Sequence, residues 1–240
     1  ATPEAALGAP VAPEQISIAA ATTSAVRRTL NPAAGVNGVF SITAKADLTW
    51  RNAPLSLADT RAGRPSIPCY WVIGPFDNKG GGTVDTPQPV ETDPFQADTT
   101  YKGKGGKEVR WAKVLRPDTL AVDREHIVPL WDMYRAENAS AYVLVWVVAP
   151  SRVDAELAVG SDDGVVAWLN DQRIHANLVS RGYQSREDRA AVSLKAGANK
   201  LLFRITQGGG EWKMAAHILD RNGAPLPELK YSLEPPAEKP

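Results

Sequence analysis

The chain has 240 residues, and Lys plus Arg and Asp plus Glu both number 27, so the formal net charge is zero. With 43% hydrophobic residues the chain can bury a sizeable core, and its balanced charge argues against a nucleic-acid or anionic membrane partner. Cys69 is the single cysteine, which excludes an intrachain disulfide and a cysteine metal cluster.

The N-terminal part of the sequence is irregular. Residues 1–34 are rich in Ala and Pro, which is typical of a linker or of an extension lying on a larger body. Within residues 35–66, the alternation in Gly35–Trp50 predicts a half-buried strand. Prolines and a glycine in residues 51–68 predict an irregular connection. No signal peptide is recognisable, and because the chain begins at Ala1 rather than Met, we expect that one has been removed.

Apolar alternation and short apolar runs between turn residues predict most of the remaining strands. They are Tyr70–Phe76, both arms of a hairpin within Tyr101–Val114, Asn138–Ala149, Val165–Leu169, Arg173–His175, Ala190–Leu194, Lys200–Thr206 and Trp212–Leu219. Asn138–Ala149 is nearly all apolar, which predicts a central strand buried on both faces. A helical turn is expected near Pro129–Tyr134, and Leu178–Asp188 is expected to be a polar loop.

Eight or nine short strands with Gly- and Asn-rich turns predict an all-β fold. The expected architecture is an antiparallel β-sandwich of jelly-roll type with an irregular N-terminal extension. The sandwich is predicted to span residues 67–232, followed by a disordered tail at residues 233–240.

An acidic turn stands at the centre of the chain, in Ala158–Asn177. The hairpin there turns at Ser161–Gly164, which places Asp162 and Asp163 side by side. Adjacent carboxylates on a surface loop supply hard oxygens for a calcium ion. The alternative is that they accept hydrogen bonds from nearby backbone N–H groups and close the turn.

Four segments together resemble a jelly-roll accessory domain of bacterial extracellular glycan-degrading enzymes. They are Tyr70–Thr86, Tyr101–Val114, Val159–Asn177 and Ala196–Trp212. The fold resembles the galactose-binding-like sandwich, and the SDDG turn resembles that of protective-antigen-type lectin domains. The resemblance implies carbohydrate binding or an architectural role beside a catalytic module, in a secreted or periplasmic protein. It also implies that Asp162 and Asp163 hold calcium, which in turn holds sugar hydroxyls.

The candidate carbohydrate-binding residues lie in two loops. Trp212 follows a triple glycine, and its ring either stacks on a sugar face or packs in the core. Gln207 opens the same loop. Tyr183, with Arg181 and Arg186 in one polar loop, offers a ring together with donors for hydroxyls or carboxylates.

We therefore expect a non-catalytic carbohydrate-binding or accessory module of a secreted bacterial polysaccharide-processing system. Its expected partners are a polysaccharide or oligosaccharide and an adjacent catalytic domain. One alternative is a structural domain that docks on a neighbouring enzyme domain. The other is a polysaccharide lyase or glycoside hydrolase, for which His175, Tyr183 and Arg181 would form a lyase-like set.

Overall fold

The computed structural model describes residues 41–50, 53–62, 66–115, 125–226 and 228–234. It contains fourteen strands and one α-helix in the described ranges. In chain order they are β1 Ser41–Trp50, β2 Ala53–Ala62, β3 Cys69–Asp77, β4 Thr100–Lys102, β5 Glu108–Arg110, β6 Ala112–Leu115, α1 Leu130–Tyr134, β7 Ala139–Ala149, β8 Val153–Asp162, β9 Val165–Leu169, β10 Gln172–Asn177, β11 Asp188–Leu194, β12 Gly197–Gln207, β13 Lys213–Leu219 and β14 Lys230–Ser232. No helix in these ranges has the length and apolarity needed to cross a bilayer.

Two antiparallel sheets form the body of the protein. The larger sheet has the order β10-β9-β12-β7-β3-β6. The short strand β14 pairs with the same edge of β7 as β3 does, but further along β7. The smaller has the order β11-β8-β13. Two further antiparallel pairs, β1 with β2 and β4 with β5, stand apart from these sheets. The prediction of an all-β antiparallel sandwich is confirmed.

The core lies between the two sheets because each strand places alternate residues on its inner face. Odd-numbered residues of β7, β9 and β12 meet odd-numbered residues of β8 and even-numbered residues of β13 in one apolar cluster. Typical members are Val143, Phe203, Leu157, Val165 and Ala216, which are almost wholly buried.

The second face of the large sheet is also covered. Residues 78–111, which include the β4–β5 hairpin, pack their apolar side chains on Trp71, Tyr142, Trp146 and Trp168. A buried ion network fixes this layer, because Arg204 of β12 contacts Asp85 and lies 2.6 Å from the Glu91 carboxylate. The prediction that β7 is a central strand buried on both faces is confirmed.

Small residues form the outer face of the small sheet. In β8 and β13, Ala158, Gly160 and Ala215 have the parity that points away from the core. A Cβ at Gly160 would lie 2.9 Å from the ring of Tyr183, so the residue-178–187 loop packs directly on this face. His217 lies on the same face of β13 and is one of its buried polar residues.

One prediction about the N-terminal region is wrong. Residues 51–68 were expected to be irregular, but Ala53–Ala62 forms β2 and pairs along its length with Ser41–Trp50. Pro54 is tolerated because it stands second in a strand whose other edge has no partner strand in the described residues. Residues 1–40 lie outside the described residues, as do residues 235–240 of the expected tail. At residue 233 the chain is still held, because the carbonyl of Leu233 accepts a 2.6 Å hydrogen bond from an indole N–H.

Candidate functional site

Asp163 joins three loops at one end of the sandwich. Its backbone N–H donates to the carbonyl of Thr206 at 3.0 Å. Its Oδ2 accepts the N–H of Gly208 at 2.7 Å, and its Oδ1 accepts the N–H of Arg181 at 2.9 Å and the hydroxyl of Ser180 at 3.3 Å. The residue is only 4% exposed. We call this meeting point of residues 161–164, 180–181 and 206–208 the Asp163 junction.

Glycines allow a fourth segment to approach the Asp163 junction. A Cβ at Gly82 would lie 2.7 Å from the Cβ of Asp163, and one at Gly164 would lie 2.8 Å from Oγ1 of Thr206. The Thr206 hydroxyl donates a 2.7 Å hydrogen bond to the carbonyl of Gly82. The backbones are therefore closer here than any side chain would permit.

The side chain of Arg181 is directed at the protein. Its Nη2 donates to Oγ of Ser161 at 2.7 Å and contacts the carboxylate of Asp188, while its Nε donates to the backbone carbonyl of Asp163 at 3.2 Å. Its Nη1 lies 3.2 Å from the Glu187 carboxylate. With 12% of the side chain exposed, this predicted sugar contact serves mainly to hold the turn.

Asp162 is almost as buried as Asp163, but its carboxylate has different partners. The peptide bond between Asp162 and Asp163 is cis. Burial raises the pKa of Asp162 to about 6, with the charges of Asp163 and Glu211 adding to the effect and Lys213 opposing it. The backbone N–H of Tyr183 donates to the Asp162 carboxylate. This carboxylate therefore lies at the edge of the Asp163 junction with acceptor capacity that the protein does not use fully.

The oxygens of the acidic pair do not fit a calcium ion as they are arranged. Calcium takes six to eight oxygen ligands. Both carboxylate oxygens of Asp163 already accept hydrogen bonds, and its carbonyl accepts two more, from Ser161 and Arg181. No group of three or more His, Cys, Asp or Glu that could hold a metal occurs in the described residues.

A second polar cluster surrounds Glu125 on the outer face of the small sheet. The Glu125 carboxylate lies 2.6 Å from Nε2 of His217, accepts the hydroxyl of Tyr183 at 2.5 Å and also accepts the hydroxyl of Ser185. On the other side of the imidazole, Nη2 of Arg186 lies 3.3 Å from Nδ1 of His217. Burial alone would raise the pKa of Glu125, but these hydrogen bonds lower it to about 2. Burial and the contact with Glu125 raise the pKa of Tyr183.

Trp212 and Gln207 are not surface residues. Trp212 is 1% exposed and packs in the core, with its ring 5.8 Å from that of Tyr134, so the open face needed for stacking on a sugar is absent. Gln207 is fully buried and donates a 3.1 Å hydrogen bond to the carbonyl of Gly210. Its role here is to shape the triple-glycine loop.

The lyase-like set is divided between two clusters. Nε2 of His175 lies 3.1 Å from Asp188, which also contacts Arg181. Tyr183 instead belongs to the Glu125 cluster. His175 and Arg181 thus share a carboxylate, while Tyr183 lies in a different network.

The groups next to the Asp163 junction form what we call the rim: the exposed Glu211, the partly exposed Tyr183 and Lys213, and Asp162, which is only 6% exposed. The ammonium of Lys213 lies 5.6 Å from the centre of the Tyr183 ring and contacts the carboxylate of Glu211. Glu211 is 72% exposed. Sequence reasoning missed Glu211 and Lys213, although both flank the tryptophan that it selected.

Comparison with models of protein families gives no match, and neither does comparison with curated proteins. Among solved structures, the PA14 domain of the MpAFP antifreeze protein is 13% identical, with a TM-score of 0.33 over 41% of this chain and 55% of that one. The PA14 sugar-binding domain of an RTX adhesin is 18% identical, with a TM-score of 0.30 over 35% and 49%. A family 35 carbohydrate-binding module from an environmental isolate is 15% identical, with a TM-score of 0.31 over 40% and 73%. This chain thus matches about half the length of the two PA14 domains.

Proposed function

We propose that this protein is a non-catalytic carbohydrate-binding module and that the rim is its binding surface. The observation that carries the proposal is the grouping of a partly exposed tyrosine ring with an ammonium and the exposed carboxylate of Glu211, beside the nearly buried carboxylate of Asp162. Sugar C–H groups pack against aromatic faces, and sugar hydroxyls donate to carboxylates and accept from ammonium groups. The rim presents all three kinds of contact within one small area.

The Asp163 junction supports this role by fixing the loops that carry the rim. Asp163 accepts hydrogen bonds from both the residue-180–181 segment and Gly208, so the segments on either side of the rim share one buried anchor. Groups that are held before the ligand arrives lose less conformational entropy on binding. The setting that we propose, beside a catalytic domain of a secreted bacterial polysaccharide-processing system, gives such a module its substrate.

The Glu125 cluster favours binding over catalysis. Although Glu125, His217 and Tyr183 resemble a set of acid and base groups, His217 is fully buried and the hydroxyl of Tyr183 donates a hydrogen bond to the Glu125 carboxylate. A general acid or base has to reach the reacting atom within hydrogen-bond distance. This cluster instead secures the residue-178–187 loop against the small sheet.

Affinity electrophoresis and calorimetry on a panel of neutral and uronic polysaccharides test the proposal. We expect Glu211→Gln to weaken binding about five- to tenfold, because one charged hydrogen bond is lost. Tyr183→Ala should abolish detectable binding, with its thermal unfolding measured in parallel. The matched control is Glu108→Gln, since Glu108 is 73% exposed on β5, which belongs to the layer that covers the second face of the large sheet.

Three outcomes would refute the proposal in different ways. No retention on any polysaccharide would favour the structural docking domain. Equal loss of binding in Glu211→Gln and Glu108→Gln would place the ligand elsewhere. Release of oligosaccharide products by the wild-type protein would establish a lyase or hydrolase.

A further inference from the structure

Four oxygen atoms from three segments surround the guanidinium of Arg181. They are Oγ of Ser161 and the carbonyl of Asp163 in the acidic turn, a carboxylate oxygen of Glu187 in the following loop and Oδ2 of Asp188 at the start of β11. A hydroxyl, a peptide carbonyl and two carboxylates are hard oxygen ligands of the kind that calcium prefers. Here they converge on a side-chain cation.

The charge of this cluster depends on that cation. Burial alone would raise the pKa of Asp188, but the hydrogen bond and the charge of Arg181, together with hydrogen bonds from Asn177 and His175, hold that pKa below its usual value. Asp188 and Asp163 are both nearly inaccessible to water. Without Arg181 the carboxylates of Asp188 and Glu187, which both contact its guanidinium, would lose the cation that they share.

We infer that the guanidinium of Arg181 takes the position and the role of a metal ion in this acidic cluster, so that the turn assembles without calcium. A guanidinium stays protonated at any physiological pH, and its covalent attachment means that neither a chelator nor low calcium can remove it. A variant that lacks the guanidinium but keeps the four oxygens should therefore contain a vacant cation site. This inference is independent of whether the rim binds sugar.

The test compares thermal unfolding of the wild type, Arg181→Ala and Arg181→Lys in EGTA, in millimolar MgCl2 and in millimolar CaCl2. We expect the wild-type Tm to be the same in all three. Arg181→Ala should unfold roughly 10 °C lower in EGTA, because buried carboxylates lose their counter-ion. Calcium should restore a large part of that loss and magnesium a smaller part, since a ligand that binds only the folded state raises its stability. Arg181→Lys should stay closer to the wild type and should not respond to calcium.

A double variant, Arg181→Ala with Asp188→Asn, distinguishes loss of the counter-ion from a general failure to fold. It removes one anion together with the cation, so we expect a higher Tm in EGTA than for Arg181→Ala alone and no response to calcium. Stabilisation of the wild type by calcium would overturn the inference, as would an unchanged Tm in Arg181→Ala. A destabilised Arg181→Ala that calcium does not rescue would equally overturn it. Calorimetry gives the direct confirmation. Calcium should bind to Arg181→Ala but not to the wild type or to Arg181→Lys.

Discussion

Replacing Asp163 by asparagine should destabilise the fold, although the side chain keeps its shape. The asparagine oxygen can accept from one side only, so that either the N–H of Gly208 or the N–H of Arg181 is left facing an NH2 group. A hydrogen bond to a buried charged group contributes about 1.5–3 kcal/mol, and an unsatisfied buried donor adds to the loss. We expect a total of about 3 kcal/mol, which corresponds to roughly 6–12 °C in Tm for a domain of this size.

The adjacent carboxylate provides the matched control, with the opposite sign. The pKa of Asp162 is raised from 3.8 to about 6. Such a group stabilises the fold fully below pH of about 4 and loses that contribution as the pH rises through 6. Asp162→Asn should therefore raise the free energy of unfolding by about 1 kcal/mol at pH 7.5, after allowance for screening by solvent. The gain should disappear near pH 4, where the wild-type carboxyl is already protonated.

Both variants can be measured by tryptophan fluorescence during thermal and urea unfolding at pH 4.0 and pH 7.5. The decisive comparison is the sign of the two changes at pH 7.5. If the Tm of Asp163→Asn lies within about 2 °C of the wild-type Tm, the three hydrogen bonds to this carboxylate do not stabilise the Asp163 junction. A destabilised Asp162→Asn at neutral pH would show that this carboxylate has a partner that it needs in its ionised form.

Further predictions concern the covering layer, the acid limb and the close backbone contact. Arg204→Met should cost about 3–5 kcal/mol in urea unfolding, because Glu91 stays buried without its counter-charge. The pKa of Glu125 is lowered from 4.5 to about 2, so its stabilisation is complete above pH of about 4.5 and is lost toward pH 2. In urea titrations across this pH range, Glu125→Gln should reduce the fall in the free energy of unfolding by about 1–2 kcal/mol. Gly82→Ala should cost about 1–3 kcal/mol by forcing a methyl group into the buried aspartate, whereas Gly182→Ala, which meets open space, should lie within about 0.5 kcal/mol of the wild type.

Local patterns predicted the strands well where burial repeats along the chain. Asn138–Ala149 and Val165–Leu169 were recognised because apolar residues run between clear turns, and both are strands with nearly the same bounds. A helical turn was expected near Pro129–Tyr134, and Leu130–Tyr134 forms α1. β2 was missed because Pro54 and the polar residues around it do not have the composition of a strand, although it pairs with the adjacent strand β1.

The candidate site was predicted only in part, because its contacts join distant residues. The acidic turn was located from its own residues, but the partners of Asp163 lie 18 and 45 positions away. Glu125 and His217 are 92 positions apart, and no local pattern connects them. The burial of Trp212 did have a signal, since it shares its parity with Met214 and the other core residues of β13.

The double coverage of β7 also governs how the protein reaches its native state. Ala139–Ala149 pairs with β12 on one edge and with β3 and β14 on the other, and these partners come from both sides of it in sequence. Pairing across such separations requires long loops to close first, which makes folding slow. Until then an apolar segment with two open edges is available to other chains. Refolding yield should therefore fall steeply with protein concentration, and pairing with β12, β3 and β14 is what ends that exposure.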